Sequence, residues 1–328
     1  MLFGPAIRNI QVKYFIDHDS DHRKSIFVSG TARSGTTWLG ELINFRNDSR
    51  FVFEPFDPGR VALAVNFGDH TYLRPSDDDP HFLAPARAIV TGLVREHFVD
   101  QHNRKIICGS RIIKEVRANL FLRWLYEHFP GMPIVLTVRH PFAVAASRGK
   151  TGVDIDLRAQ YLSQPALVED FLARYVDVME NCATKFERHV ASWCVEIGVP
   201  LSQFQNGEIC TVFYEHLVTE PERVLARVFA YVKRPFDPRV CRGLTKPSST
   251  TLSANELTRT WSDGAKKVTQ AWQDRITPAQ IGRGLAILEA FGLRDLYGEG
   301  PMPLVDAIAL PKTFGARPIL KDAYSSAT

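Results

Sequence analysis

The stretch "IFVSGTARSGTTWLGELIN", from Ile26 to Asn44, decides the fold class. An apolar run leads into Gly30, four residues follow, and then come Gly35, Thr36 and Thr37. Glycines let a loop turn tightly and bring its N–H groups against an anion, and a helix that follows adds the positive end of its dipole. The pattern predicts a strand over 25–29, a phosphate-cradling loop, and a helix over about 36–44. Ser34, Thr36 and Thr37 add hydroxyl donors. In a nucleoside-triphosphate loop a lysine stands just before the Ser/Thr that holds magnesium. Here Thr36 takes the lysine's place, and the nearest cation is Arg33, inside the loop.

The rest of the composition narrows what such a loop serves. With 328 residues, 45% of them hydrophobic and 23% charged, the chain can bury a sizeable core. A net charge of +4, from 40 Lys+Arg against 36 Asp+Glu, suits an anionic small molecule in a focused site. It is too weak for a nucleic-acid binder, and neither a basic stripe nor a reading module is present. The cysteines at 108, 182, 194, 210 and 241 form no CxxC pair, so buried thiols in a reducing compartment are expected, with no disulfide or zinc. The first 24 residues lack an apolar signal region and no later run reaches membrane-spanning length, which points to the cytoplasm.

Strands and helices alternate along the chain. "RFVFEP" predicts a short strand ending at Glu54, and 57–83, rich in Asp, Pro, Gly and His, an irregular excursion. A helix is expected over 84–100, an extended segment broken near Gly109 over 104–116, and a helix capped by Asn119 running to His128. "MPIVLTVRH" is the clearest buried strand, followed by a helix over about 142–148 and an excursion over 149–166. Phe171, Tyr175, Val178, Cys182, Phe186, His189, Trp193 and Ile197 recur at helical spacing and predict one continuous apolar face. His189 on that stripe reads as a packed core or boundary histidine rather than a ligand. A strand in "EICTVFYEH", a helix over 221–232, irregular chain over 233–270 and a helix over 278–291 complete the series. The alternation predicts an α/β, P-loop-type three-layer fold with a mostly parallel sheet covered by helices on both faces.

A second segment makes the ligand more specific. "VLTVRHPFAVAASR" places Arg139 at the carboxyl end of a strand and Ser147 eight residues on, at the end of the sheet where α/β proteins bind ligands. Arg139 can grip a phosphate through two N–H groups, and Ser147 can close on it from the helix. Two phosphate positions follow, one for each motif.

With both motifs in order, the chain resembles the sulfotransferase superfamily that uses 3′-phosphoadenosine 5′-phosphosulfate (PAPS), and within it the bacterial and carbohydrate-acting branch. The 5′-phosphosulfate loop of that family resembles 31–38, and its Arg–x7–Ser 3′-phosphate motif resembles 139–147. Similarity runs from about 25 to 297, which implies one domain with an N-terminal extension over 1–24 and a tail over 298–328. The resemblance implies cofactor contacts from Arg33, Ser34, Gly35, Thr36, Thr37, Trp38, Arg139, Ser147 and Tyr214, with Trp38 and Tyr214 near the adenine. It also implies that Arg33 serves the 5′-phosphate and bridging oxygen, and that residues of 245–261, such as Lys246, Ser248 or Arg259, close over the cofactor.

The implied reaction transfers a sulfuryl group to an acceptor hydroxyl of a sugar, glycan or small natural product, without a metal. In the cytosolic branch a histidine base lies two residues after a strand lysine. Lys114 matches that lysine, but Val116 occupies the histidine's place. Glu54, in an "EP" step resembling that of carbohydrate and bacterial members, is the expected base, with Glu115 as runner-up and Lys114 as a sulfuryl contact or a salt-bridge partner. A partly desolvated glutamate is expected to have its pKa raised towards ~6–7. Arg60, Arg74, Arg87 and Arg158 in or beside the excursions suit an acidic acceptor, though exposed arginines are commonplace. Two other classes stay open: a nucleotide kinase or NTPase with an altered loop, and a non-catalytic nucleotide-binding protein.

Overall fold

The computed structural model describes residues 16–17, 19–103, 105–244, 249, 264–310 and 314. The 245–248 and 250–261 positions expected to close over a cofactor lie outside them. Five strands build the main sheet: β1 Ser25–Gly30, β2 Arg50–Phe53, β3 Arg111–Glu115, β4 Ile134–Val138 and β5 Cys210–Phe213. Their order is β2-β3-β1-β4-β5 and every pairing is parallel. Order reverses across β1, which has β3 on one side and β4 on the other. The crevice beyond the carboxyl ends of β1 and β4 is therefore the topological switch point, where such sheets bind ligands.

Each strand is buried along its length and its apolar side chains are shared between two cores. Ile26 and Val28 of β1 join one core with α1 (Thr36–Ile43), α6 (Tyr214–Thr219) and α7 (Pro221–Tyr231). Phe27 faces the other, with α2 (Pro80–Val90), α3 (Leu122–His128), α4 (Pro141–Gly149), α5 (Lys185–Gln203) and α8 (Pro278–Ala290). This is the expected three-layer arrangement, and the five cysteines are all free, four of them buried.

Three local expectations fail for identifiable reasons. The helix expected over 84–100 stops at Val90, because Gly92 adopts φ 78° and buried Arg50 draws the Gly92 and Val94 carbonyls to itself at 2.8 and 2.6 Å. Asn119 caps no helix: its side chain accepts from Ser29 Oγ at 2.7 Å, and it sits in a 3₁₀ turn ahead of α3. The apolar stripe from Phe171 to Ile197 spans several short helical turns and then α5, which restarts at Thr184, whose side chain caps Glu187 N–H. The buried faces share one core, so the periodicity runs on through the break. His189 is a core histidine, 2% exposed, its pKa pushed down to about 4 chiefly by burial and secondarily by Arg148.

Candidate active site

The loop between β1 and α1 is shaped by close contacts. A side chain at Gly30 would meet Thr137 Oγ1 at 2.1 Å, because the two residues are paired across β1 and β4. Gly35 has φ 90°, and a Cβ there would lie 2.7 Å from the Tyr214 ring. No side chain caps α1, which begins at Thr36 directly after Gly35. Ser34 Oγ lies 2.9 Å from Thr137 Oγ1, which donates to Ser29 O at 3.0 Å and so fixes the loop to β4. The Thr31 hydroxyl is buried and has no hydrogen-bond partner among the described residues. Thr36, Thr37 and Trp38 are buried, and Trp38 packs with its ring centroid 5.6 Å from that of Tyr214.

The second motif meets the first directly. Arg33 Nε donates to Ser147 Oγ at 3.0 Å, and Arg139 Nη1 donates to the Arg33 carbonyl at 3.0 Å. Two separate cradles are expected from the sequence; the structure joins them. The reason is local: Arg33 adopts φ 76°, and its side chain leaves the loop towards α4 instead of following the loop hydroxyls. Arg139 lies over the Tyr214 ring, 4.3 Å from its centroid, and its Nε is buried without a partner among the described residues. Burial and the neighbouring Arg139 both depress the Arg33 pKa. No carboxylate among the described residues forms an ion pair with either arginine, so positive charge is concentrated at the switch point.

The backbone behind Arg139 is held firmly. Trp193 Nε1 donates to the Arg139 carbonyl at 3.0 Å, and the fully buried Glu215 accepts from His140 N–H at 2.9 Å and from the Tyr297 hydroxyl at 2.8 Å. His140 stacks on Trp272 at 4.3 Å, and burial lowers its pKa to about 3, so it is a neutral brace.

A different electrostatic pattern surrounds Glu54. Its N–H extends the β2–β3 ladder to the Lys114 carbonyl at 2.8 Å, yet φ is 42°, a strained value for a residue preceding proline. Lys114 Nζ donates to Glu54 Oε1, and Arg117 Nη1 donates to Oε2 at 2.9 Å. Arg117 also pairs with Asp57 at 3.0 Å and Asp69 at 2.9 Å. Burial pushes the Glu54 pKa up, but the Lys114 and Arg117 cations outweigh it and the net shift is downward. The expected rise towards neutrality is therefore not found. Burial lowers the Lys114 pKa against the pull of Glu54, and its ammonium rests over the Phe53 ring at 4.8 Å.

The runner-up carboxylate, Glu115, has a structural position. It is fully buried on the opposite face of β3, where it accepts from the N–H groups of Phe56, Val116 and Arg117 at 2.8, 2.8 and 3.0 Å. The arginines noted for an acidic acceptor are engaged elsewhere. Arg74 pairs with Glu169 and Asp170, Arg158 with Glu180, and Arg60 and Arg87 lie over the rings of Phe98 and Phe129.

Against known proteins, the model of the sulfotransferase family matches residues 25–238. The chain belongs to the sulfotransferase family. This sulfotransferase family member is 26% identical over 216 residues to nodulation protein NoeE of Sinorhizobium fredii (strain NBRC 101917 / NGR234), an alignment covering 62% of this chain and 48% of that protein. It thus spans about half the length of that curated relative. Among solved structures it is similar to a sulfotransferase domain from the curacin biosynthetic pathway, at 14% identity and TM-score 0.42 over 80% of this chain and 96% of that one. A sulfotransferase domain from the Synechococcus PCC 7002 olefin synthase aligns at 14% identity and TM-score 0.40, over 81% and 94%.

Among the candidates in this family member, Arg33, Arg139, Ser147, Gly35 and Tyr214 are joined by direct contacts, and Glu54 and Lys114 form a pair at the ends of β2 and β3. Sequence reading missed Arg117, which gathers Glu54, Asp57 and Asp69. The available signal was its place two residues beyond Glu115, at a strand's carboxyl end. It also missed Arg148, beside Ser147, whose inward direction no local pattern reveals. No helix among the described residues is long and apolar enough to cross a membrane, and none of their His, Cys, Asp and Glu side chains form a group able to hold a metal.

Proposed function

We propose that this chain transfers a sulfuryl group from PAPS to an acceptor hydroxyl, of a sugar, a glycan or a small natural product. The observation that carries the reading is the pair Arg33 and Arg139, adjacent at the switch point and without a carboxylate partner among the described residues. Two such cations call for a ligand with more than one anionic group. The Thr31 hydroxyl and Arg139 Nε, without partners among the described residues, suit with the close-fitting Gly30 and Gly35 a phosphate-bearing ligand in the same place. Ser34, Gly35, Thr36 and Thr37 would hold the 5′-phosphosulfate, Arg139 and Ser147 the 3′-phosphate, with Trp38 and Tyr214 as the aromatic wall beside them. Arg33, now on Ser147, sits between the two groups and would stabilise negative charge without giving up a proton.

When bound, the donor supplies an activated sulfuryl group whose leaving group is a phosphate. Glu54 would accept the proton of the acceptor hydroxyl on a carboxylate oxygen. Lys114 and Arg117 keep that carboxylate ionised and aimed, so the base is ready at neutral pH although it is weaker than a glutamate raised towards 7. The excursions over 57–83 and 149–168 would bind the acceptor. We read the core over about 25–297 as a single sulfotransferase domain, and the free cysteines support a reducing, cytoplasmic setting.

Incubation with radiolabelled PAPS and a panel of hydroxyl acceptors tests the proposal. Label transfer that disappears in Glu54→Gln supports it. Absence of transfer together with tighter binding of Mg-ATP than of 3′-phosphoadenosine 5′-phosphate (PAP) would favour a kinase or NTPase. PAP binding with no transfer to any acceptor would favour a non-catalytic nucleotide-binding protein.

A further inference from the structure

Behind the donor loop lies a buried polar cluster that the reaction above does not use. Arg148 follows Ser147 in α4 but points inward. Its Nε donates to the Ala32 carbonyl, inside the loop, at 3.3 Å. Its Nη1 donates to Ser192 Oγ and Glu196 Oε1, both at 3.1 Å, and Nη2 to Glu196 Oε2 at 2.9 Å. Glu196 lies fully buried on α5 and accepts from the Tyr161 hydroxyl at 3.0 Å and from Ser192 Oγ at 2.6 Å. Burial opposes its charge, yet Arg148 and the other donors prevail and hold its pKa down to about 2. A buried ion pair is a weak source of stability, because losing water cancels most of the attraction. Its value here is directional: a bidentate guanidinium–carboxylate pair fixes where the Nε–H of the same group points, and that is the backbone immediately before Arg33.

Tyr161 belongs to the turn Arg158–Leu162, in the second excursion. Gln164 ties that excursion to the first, accepting from Tyr72 N–H at 2.8 Å and donating to the His70 carbonyl at 3.1 Å. Tyr72 and Arg74 bind Asp170, each at 2.8 Å, so the two excursions form one cap. The cap reaches the Glu54 corner through Asp69 and Arg117, and the donor loop through Tyr161, Glu196 and Arg148.

We propose that Arg148 is a positioning residue for the donor loop, and that the chain Tyr161–Glu196–Arg148–Ala32 makes loop and cap respond to nucleotide as one unit. The inference rests on the reading of the loop as the PAPS site. Filling the loop then orders the cap before an acceptor arrives, and by linkage an ordered cap tightens the nucleotide.

The full chain, titrated with PAP by calorimetry and followed by amide hydrogen exchange over 158–172, tests this. In the wild type PAP slows exchange in that segment. Tyr161→Phe leaves the ion pair in place but cuts its link to the cap: the PAP-dependent slowing falls by about tenfold or more, and by the same linkage PAP affinity falls by a comparable factor. Arg148→Lys keeps the charge but loses the fork, and PAP binding weakens by about tenfold. Full slowing retained in Tyr161→Phe overturns the proposal, as does wild-type PAP affinity in a folded Arg148→Lys. Tight PAP binding by the wild type with no slowing over 158–172 overturns the proposal alone. Failure of the wild type to bind PAP removes the donor-site reading and the proposal together.

Discussion

Arg33 and Arg139 stand together at the end of β1 and β4 with no carboxylate paired to them among the described residues, whereas Lys114 and Arg117, at the end of β3, are tied to Glu54, Asp57 and Asp69. The same charge is therefore used in two ways within one crevice. At the loop, neither cation is ion-paired to a carboxylate among the described residues, which raises local positive potential and suits a polyanion. At the Glu54 corner, cations serve a carboxylate: they keep it ionised against burial and hold its oxygens in place. In the proposed function, one corner receives charge and the other takes a proton.

The largest expected effect comes from removing the proposed proton acceptor. Glu54→Gln should cut turnover by roughly two orders of magnitude or more while leaving PAP affinity unchanged, read by label transfer and calorimetry side by side. Equal loss of affinity would erase the distinction between the corners. Arg139→Ala should act in the opposite sense, chiefly on binding. The loss is on the order of 1.5–3 kcal/mol per charge-assisted hydrogen bond, seen as a raised Kd for PAP.

The pH profile sharpens the contrast further. A depressed Glu54 pKa means that the carboxylate form exists above it and is lost only as pH falls through it. Activity should then stay level from about pH 5.5 upward, with no base limb at 6–7. Lys114→Met removes one of the two cations and should move the acid limb up by about one unit or more. A profile unchanged by that substitution would detach Lys114 from the base. The smallest effect is expected at Arg158, an exposed arginine paired with Glu180. Arg158→Ala should change stability by about 1 kcal/mol or less in denaturant titration and leave turnover intact.

What was legible in the sequence follows the same division between local and distant. Gly30, Gly35 and the threonines announce the loop because turn geometry and helix initiation are local properties, and β1 and α1 lie where the pattern puts them. Arg139 and Ser147 are readable because one strand end and one helix separate them. Glu54 is readable as the residue that ends β2. The Glu54 pKa was not, since its direction depends on Lys114 and Arg117, 60 and 63 residues away in the chain. Arg148 and Glu196, 48 residues apart, meet only because α4 packs on α5, and neither carries a mark of that pairing. The helix read through Asn181–Thr184 fails for a related reason: apolar spacing reports which core a segment faces, and it continues when backbone hydrogen bonding stops.

The central claim is that Arg33 and Arg139, which have no carboxylate partner among the described residues, serve a 3′-phosphorylated adenine nucleotide. Calorimetric titration of the full chain with PAP and, separately, with Mg-ATP tests it most directly. The account predicts PAP binding about tenfold or more tighter than Mg-ATP, with that preference lost in Arg139→Ala. Tighter binding of Mg-ATP, or a preference that survives Arg139→Ala, would contradict it.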